Sequence, residues 1–198
     1  MVDVMEYANS ASIEVIVGPM YAGKTEELIR RINRAKIAEL KVLSFKPKID
    51  NRYNGCAIVS HNGKEADCFV VEGVEEMEAI ARREAFDVMS IDEIQFFPEE
   101  VVEFCQEIAD SGKRVIVSGL DMDFKGKPFH IVPEIMAVAE HVSKLTAVCM
   151  KCKRPATRTQ RIVDGRPAKA SDPVVLVGAK ESYEARCRKC HEVLADED

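Results

Sequence analysis

The sequence predicts an α/β protein: a phosphate-loop NTPase-like parallel sheet flanked by helices, followed by a small C-terminal zinc-ribbon or lasso subdomain. Three observations predict it. Apolar strand-like runs alternate with helix-like segments from residue 13 to about 148, as βαβ units require. The string Gly18-Pro19-Met20-Tyr21-Ala22-Gly23-Lys24-Thr25 sits between the first such strand and the first helix. Two CxxC pairs lie near the C-terminus.

The elements follow in order. Ile13–Val17 alternates and is rich in β-branched residues, which suits a strand, and Glu26–Ala38 carries Leu28, Ile29, Ile32 and Ile37 near helical spacing. Further strands are expected at Val42–Phe45, Cys68–Val71, Asp87–Ile91, Arg114–Ser118 and Val142–Val148. Helices are expected at Val74–Glu84, Glu99–Ser111 and Pro133–Ala139. Between residues 46 and 63 polar and turn residues take over, and a mobile loop is expected there, of a length that is usually functional or disordered. The expected units are an N-terminal extension (1–12), an α/β domain (13–145), a zinc-binding lasso (146–194) and an acidic tail (195–198).

Composition narrows the classes of function. The chain has 198 residues, 46% of them hydrophobic, enough for a core without disulfide staples. No apolar run reaches the length of about 18 that spans a membrane, and residues 1–12 lack the pattern of an export signal. A cytoplasmic protein with no membrane partner is therefore expected. A net charge of −6 argues against a nucleic-acid partner, because neutralising phosphates needs a concentrated basic surface. The basic stretches at 151–154 and 158–166 read as a solvated ribbon face.

The 18–25 string has the form of a phosphate cradle. Its two glycines permit a tight turn that aims backbone N–H groups at phosphate oxygens beside a helix N-terminus. Lys24 then reaches the terminal phosphates, and the Thr25 hydroxyl serves Mg²⁺. A chance Gly-rich turn is the competing reading, which the flanking strand and helix disfavour. The strand Asp87–Ile91 runs into Asp92 and Glu93, two carboxylates at a strand's C-terminal end. In a doubly wound sheet that edge faces the same crevice as the cradle, so Asp92 is expected to hold Mg²⁺ and Glu93 to act as general base. A solvated strand terminus is the alternative.

Cys149-x-x-Cys152 and Cys187-x-x-Cys190 suit four thiolates around a structural Zn²⁺, a closed shell with no position for water. Residues 153–186 between the pairs exceed the common spacing of about 15–20, so a sizeable loop tied at its base is expected. Cys56, Cys68 and Cys105 read as ordinary core or loop thiols. His191 makes a CxxCH, which haem attachment shares, but haem leaves the upstream pair unexplained. His191 remains an alternative ligand to Cys190.

Taken together, these features closely resemble the thymidine kinases of the zinc-containing, phosphate-loop type. The resemblance covers Ile13 to Cys190 and is carried by GPMYAGKT, SIDEIQFF (90–97), GLDMDF (119–124), KPF (127–129), KLTAVCMKC (144–152) and VLVGAKESYEARCRKC (175–190). It implies ATP–Mg²⁺ as cofactor, structural Zn²⁺, and phosphorylation of thymidine and deoxyuridine at the 5′-hydroxyl, with Glu93 taking the proton. On the ATP side it implies residues 18–25, Asp50, Asn51, Arg52, Asp92 and Gln95. On the nucleoside side it implies Met20, Phe96, Leu120, Phe124, Phe129, Val174, Val175, Leu176, Val177, Gly178 and Tyr183, with Phe97 left to the core. A homotetramer and feedback inhibition by thymidine triphosphate belong to the same set of expectations. Two positions depart from the family pattern: Ala22, where Ser is frequent, and Ala179, where a second Gly is common. Two competing functions share the cradle and the knuckles: a nucleic-acid-stimulated ATPase and a nucleotide-gated scaffold without turnover.

Overall fold

The computed structural model describes residues 11–48, 57–59, 65–175 and 181–196. In chain order the elements are β1 (Ser12–Val17), α1 (Lys24–Ile37), β2 (Val42–Pro47), β3 (Ala57–Val59), β4 (Glu65–Asp67), β5 (Phe69–Val71) and α2 (Val74–Ala81). There follow β6 (Val88–Ile91), a 3₁₀ turn (Ile94–Phe96), α3 (Glu100–Asp110), β7 (Arg114–Gly119), α4 (Val132–Val138) and β8 (His141–Lys144). The C-terminal part holds β9 (Ala147–Val148), β10 (Pro155–Ala156), β11 (Arg158–Val163), β12 (Arg166–Pro167) and β13 (Glu181–Arg186).

Six strands form one parallel sheet in the order β5-β2-β6-β7-β1-β8. Its central strands are buried on both faces, which is why β1 and β7 are buried along their whole length. Ile13, Val15 and Val17 of β1 join Leu43, Phe45, Met89 and Ile91 in a core that α2, α3 and α4 complete. Ile16, Val88 and Ile116 face the other way, against Leu28, Ile29 and Ile32 of α1. Glu14 is the charged exception within β1. It is 5% exposed and is paired with Arg31 Nη1 at 2.7 Å and Arg114 Nε at 2.5 Å, so the buried carboxylate is neutralised from two elements.

Four expectations require correction. The run Val142–Val148 is two strands, because β8 ends at Lys144 and β9 turns away to pair antiparallel with β10. The stretch 46–63 is more than a loop: β3 pairs with β4, and Ile58 and Ala66 extend the core on the α1 face. Asp50, Asn51 and Arg52 lie outside the described residues. The segment between the two CxxC pairs is largely a three-stranded antiparallel sheet, β12-β11-β13, instead of a simple lasso. The 158–166 stretch is likewise not a solvated face. Thr159, Gln160 and Arg161 are buried, and Arg161 Nη1 donates to the Pro173 carbonyl at 2.6 Å. Among the described residues, no helix is long and apolar enough to cross a membrane.

Candidate active site

The loop from β1 into α1 has the backbone its sequence demands. Gly18 has φ +153°, Tyr21 +65° and Gly23 +81°, and α1 begins at Lys24 immediately after the last of these. Gly18 has a second reason to lack a side chain, since a Cβ there would lie 2.6 Å from the Leu145 carbonyl oxygen. Lys24 Nζ donates to the Pro19 carbonyl at 3.0 Å, which places the ammonium over the loop. Met20 N donates to Thr159 Oγ1 at 3.0 Å, so the loop is fastened to β11.

In the sheet, β7 lies between β1 and β6. The C-terminal ends of these three strands meet at Asp92. Thr25 Oγ1 donates to Asp92 Oδ2 at 3.3 Å, and Ser118 Oγ, at the end of β7, donates to Asp92 Oδ1. The Glu93 amide also donates to Oδ1, at 3.0 Å. Burial, reinforced by the neighbouring Glu93 charge, pushes the Asp92 carboxyl up to about 6, against the opposing pull of Ser118, Lys24 and the Glu93 amide. The hydroxyl of Thr25 beside a buried carboxylate is a donor set of hard oxygens that fits Mg²⁺.

Glu93 leaves the strand in the left-handed conformation, φ 52° and ψ 44°. That is strained for a side chain-bearing residue and costs roughly 1–3 kcal/mol. It is half-buried, and Gln95 Nε2 donates to its Oε2. The other end of the Gln95 amide accepts from Leu120 N at 3.1 Å.

The residues of the nucleoside set are tied to this edge through two routes. Phe96 meets Phe129 edge-on, with centroids 6.2 Å apart, and Leu120 is held by Gln95. Phe124 is buried under the Arg161 guanidinium, which lies 5.0 Å from its ring centroid, and Arg161 is in register with Tyr183 across β11 and β13. Met20 reaches the same strand through Thr159. Phe97 is 2% exposed and packs in the main core. Val174 and Val175 are exposed, whereas Leu176, Val177 and Gly178 fall outside the described residues.

The four thiols of Cys149, Cys152, Cys187 and Cys190 lie within 4.8 Å of one another, and Cys152 Sγ is 3.6 Å from Cys187 Sγ. Tetrahedral Zn²⁺ with bonds of about 2.3 Å separates its sulfurs by about 3.8 Å, so the set fits that ion. Arg154 Nε donates to Cys152 Sγ, and this hydrogen bond draws the Cys152 thiol down to about 6. All six described cysteines are free thiols. His191 is not part of the cluster. Its Nε2 meets the Phe124 carbonyl at 2.8 Å, fastening the second knuckle to the segment after β7. The cysteine cluster also touches the loop between β1 and α1, since Ala22 and Cys152 pack against one small core.

Ser118 and Thr159 escape a reading of the sequence, and His191 reads there only as an alternative ligand to Cys190. Ser118 had a signal, a polar residue ending an apolar strand. Thr159 had none, and neither did the bond of His191 to Phe124, because the partners are 139 and 67 residues away.

A family model described as thymidine kinase matches residues 11–191. Among solved structures, domain III of the replication initiation protein DnaA from Thermotoga maritima is similar at 17% identity with a TM-score of 0.41, covering 71% of this chain. The chain spans 58% of the length of that structure, a likeness too loose to place any residue.

Proposed function

The chain belongs to the thymidine kinase family, and from that membership and the site geometry we propose that it transfers the γ-phosphoryl group of ATP to the 5′-hydroxyl of thymidine and deoxyuridine. The observation that carries this reading is the Thr25–Asp92 hydrogen bond of 3.3 Å, which joins two remote stretches of chain. Glu93 follows Asp92 directly, so a base stands next to the phosphate-binding edge.

In this mechanism the cradle amides and Lys24 hold the ATP phosphates, and Asp50, Asn51 and Arg52 add contacts from the segment after β2. Thr25 and Asp92 would hold Mg²⁺, which supplies charge neutralisation at the phosphates. Glu93 accepts the proton of the 5′-hydroxyl as that oxygen attacks. Phosphoryl transfer depends mainly on positioning and charge, so this small set suffices in kind. Residues 13–145 carry the donor side. Residues 146–194, with Zn²⁺ held by Cys149, Cys152, Cys187 and Cys190, close over the base, whose walls are Met20, Phe96, Leu120, Phe124, Phe129, residues 174–178 and Tyr183. The same reading includes a cytoplasmic homotetramer and inhibition by thymidine triphosphate in the acceptor pocket.

The test is a nucleoside panel with γ-labelled ATP and detection of labelled monophosphate. Thymidine is expected to be the best acceptor, and Glu93→Gln is expected to keep ATP binding while losing roughly 10²-fold or more in turnover. ATP consumption stimulated by single-stranded DNA and by no nucleoside would reject the proposal.

A further inference from the structure

Gln95 is 3% exposed, and both ends of its amide are engaged. Nε2 donates to Glu93 Oε2, while Oε1 accepts from Leu120 N at 3.1 Å. The orientation of the amide is determined by these partners: rotated by half a turn, it would set an oxygen against a carboxylate and an NH₂ against an N–H. The backbone is shaped around the same group. A Cβ on Gly119 would stand 2.6 Å from Gln95 Oε1 and 2.9 Å from Ile94 Cγ2, so glycine at the end of β7 leaves the amide its place. Glu93 meanwhile sits in a left-handed turn, and the Gln95 amide is a group that holds its carboxylate there.

We propose that Gln95 is a positioning residue for Glu93, linking the carboxylate of the base to the segment that starts at Leu120 on the acceptor side, and is not a contact to the ATP phosphates. The inference rests on the proposed role of Glu93 and departs from the ATP-side role that the family resemblance implies for Gln95. Its physical content is a two-bond chain from Leu120 N through the amide to Glu93 Oε2. Displacement of Leu120 by an acceptor is thereby felt by the base.

The test is Gln95→Met, which keeps the length and removes both hydrogen bonds, introduced into the wild-type and the Glu93→Gln backgrounds. Steady-state rates and titration with a fluorescent ATP analogue are measured for each. In the wild-type background kcat should fall about 10-fold or more and the KM for thymidine should rise, while ATP KM and analogue affinity stay within about 2-fold. In the Glu93→Gln background the same substitution should change kcat by less than about 2-fold, because its effect passes through a group already removed. A purely structural role, or an ATP contact, would cost the same in both backgrounds, and that result overturns the inference. Gly119→Ala presses on the same oxygen from β7 and should give the same signature, so the comparison survives a Gln95→Met protein that does not fold. The wild-type rate with thymidine reads the assigned reaction separately. Weakened analogue affinity in Gln95→Met overturns the inference whatever the acceptor proves to be.

Discussion

Asp92 is a carboxylate that the fold itself makes difficult to ionise. Its folded-state value of about 6 lies above the ordinary 3.8, first because it is buried and then because Glu93 is adjacent. The native state thus binds a proton more readily than the unfolded chain. Protonation-linked stability is present below about pH 4 and is lost as pH rises through about 6. At neutral pH the charged form carries a stability cost on the order of 1–3 kcal/mol. Asp92→Asn is therefore expected to raise the melting temperature of the metal-free protein at pH 7 while abolishing Mg²⁺-dependent turnover. A lower melting temperature at pH 7 would contradict the assignment of strain to this carboxyl. At the residue scale, Lys24, Thr25, Asp92 and Glu93 were legible because each belongs to a local string. Ser118, Gln95 as an amide clamp, and Thr159 were not, since their roles arise from partners on other strands.

At the scale of elements, the unit β1–loop–α1 places the cradle, and Gly18 is its tightest point. Alanine there would combine an unfavourable φ of +153° with a Cβ 2.6 Å from the Leu145 carbonyl, a backbone atom that cannot swing aside. Gly18→Ala is expected to destabilise the fold by roughly 1–3 kcal/mol and to weaken ATP binding at least about 10-fold, by titration of a fluorescent nucleotide. A variant with unchanged nucleotide affinity would show that the loop relaxes around the methyl. Five of the six strands of the main sheet and the four helices follow the hydrophobic periodicity closely, with ends shifted by at most three residues. The misread elements share one property. The β3–β4 hairpin, the break between β8 and β9, and the sheet β12-β11-β13 are short or polar strands whose order comes from antiparallel pairing, which periodicity does not report.

Across the whole molecule, the thiol cluster, β11 and the phosphate loop are bound into one assembly. Ala22 and Cys152 share a core, Thr159 accepts from Met20 N, and His191 holds the Phe124 carbonyl. Removal of Zn²⁺ is accordingly expected to weaken ATP binding together with nucleoside binding, where a loop tied only at its base would lose the nucleoside alone. Isothermal titration of chelator-stripped protein with each ligand distinguishes the two, and unchanged ATP affinity would reject the coupling through β11. The sequence by itself determined the parallel α/β class, the cradle, the paired carboxylates and the four thiols, because each is written in contiguous residues whose spacing matches the period of a strand, a turn or a knuckle. The tertiary structure alone decided that Ser118 and Thr25 flank Asp92, that Gln95 spans from Glu93 to Leu120, and that the cysteine cluster packs against the loop. Those contacts depend on the order in which strands lie side by side, and strand order is set by packing between faces far apart along the chain.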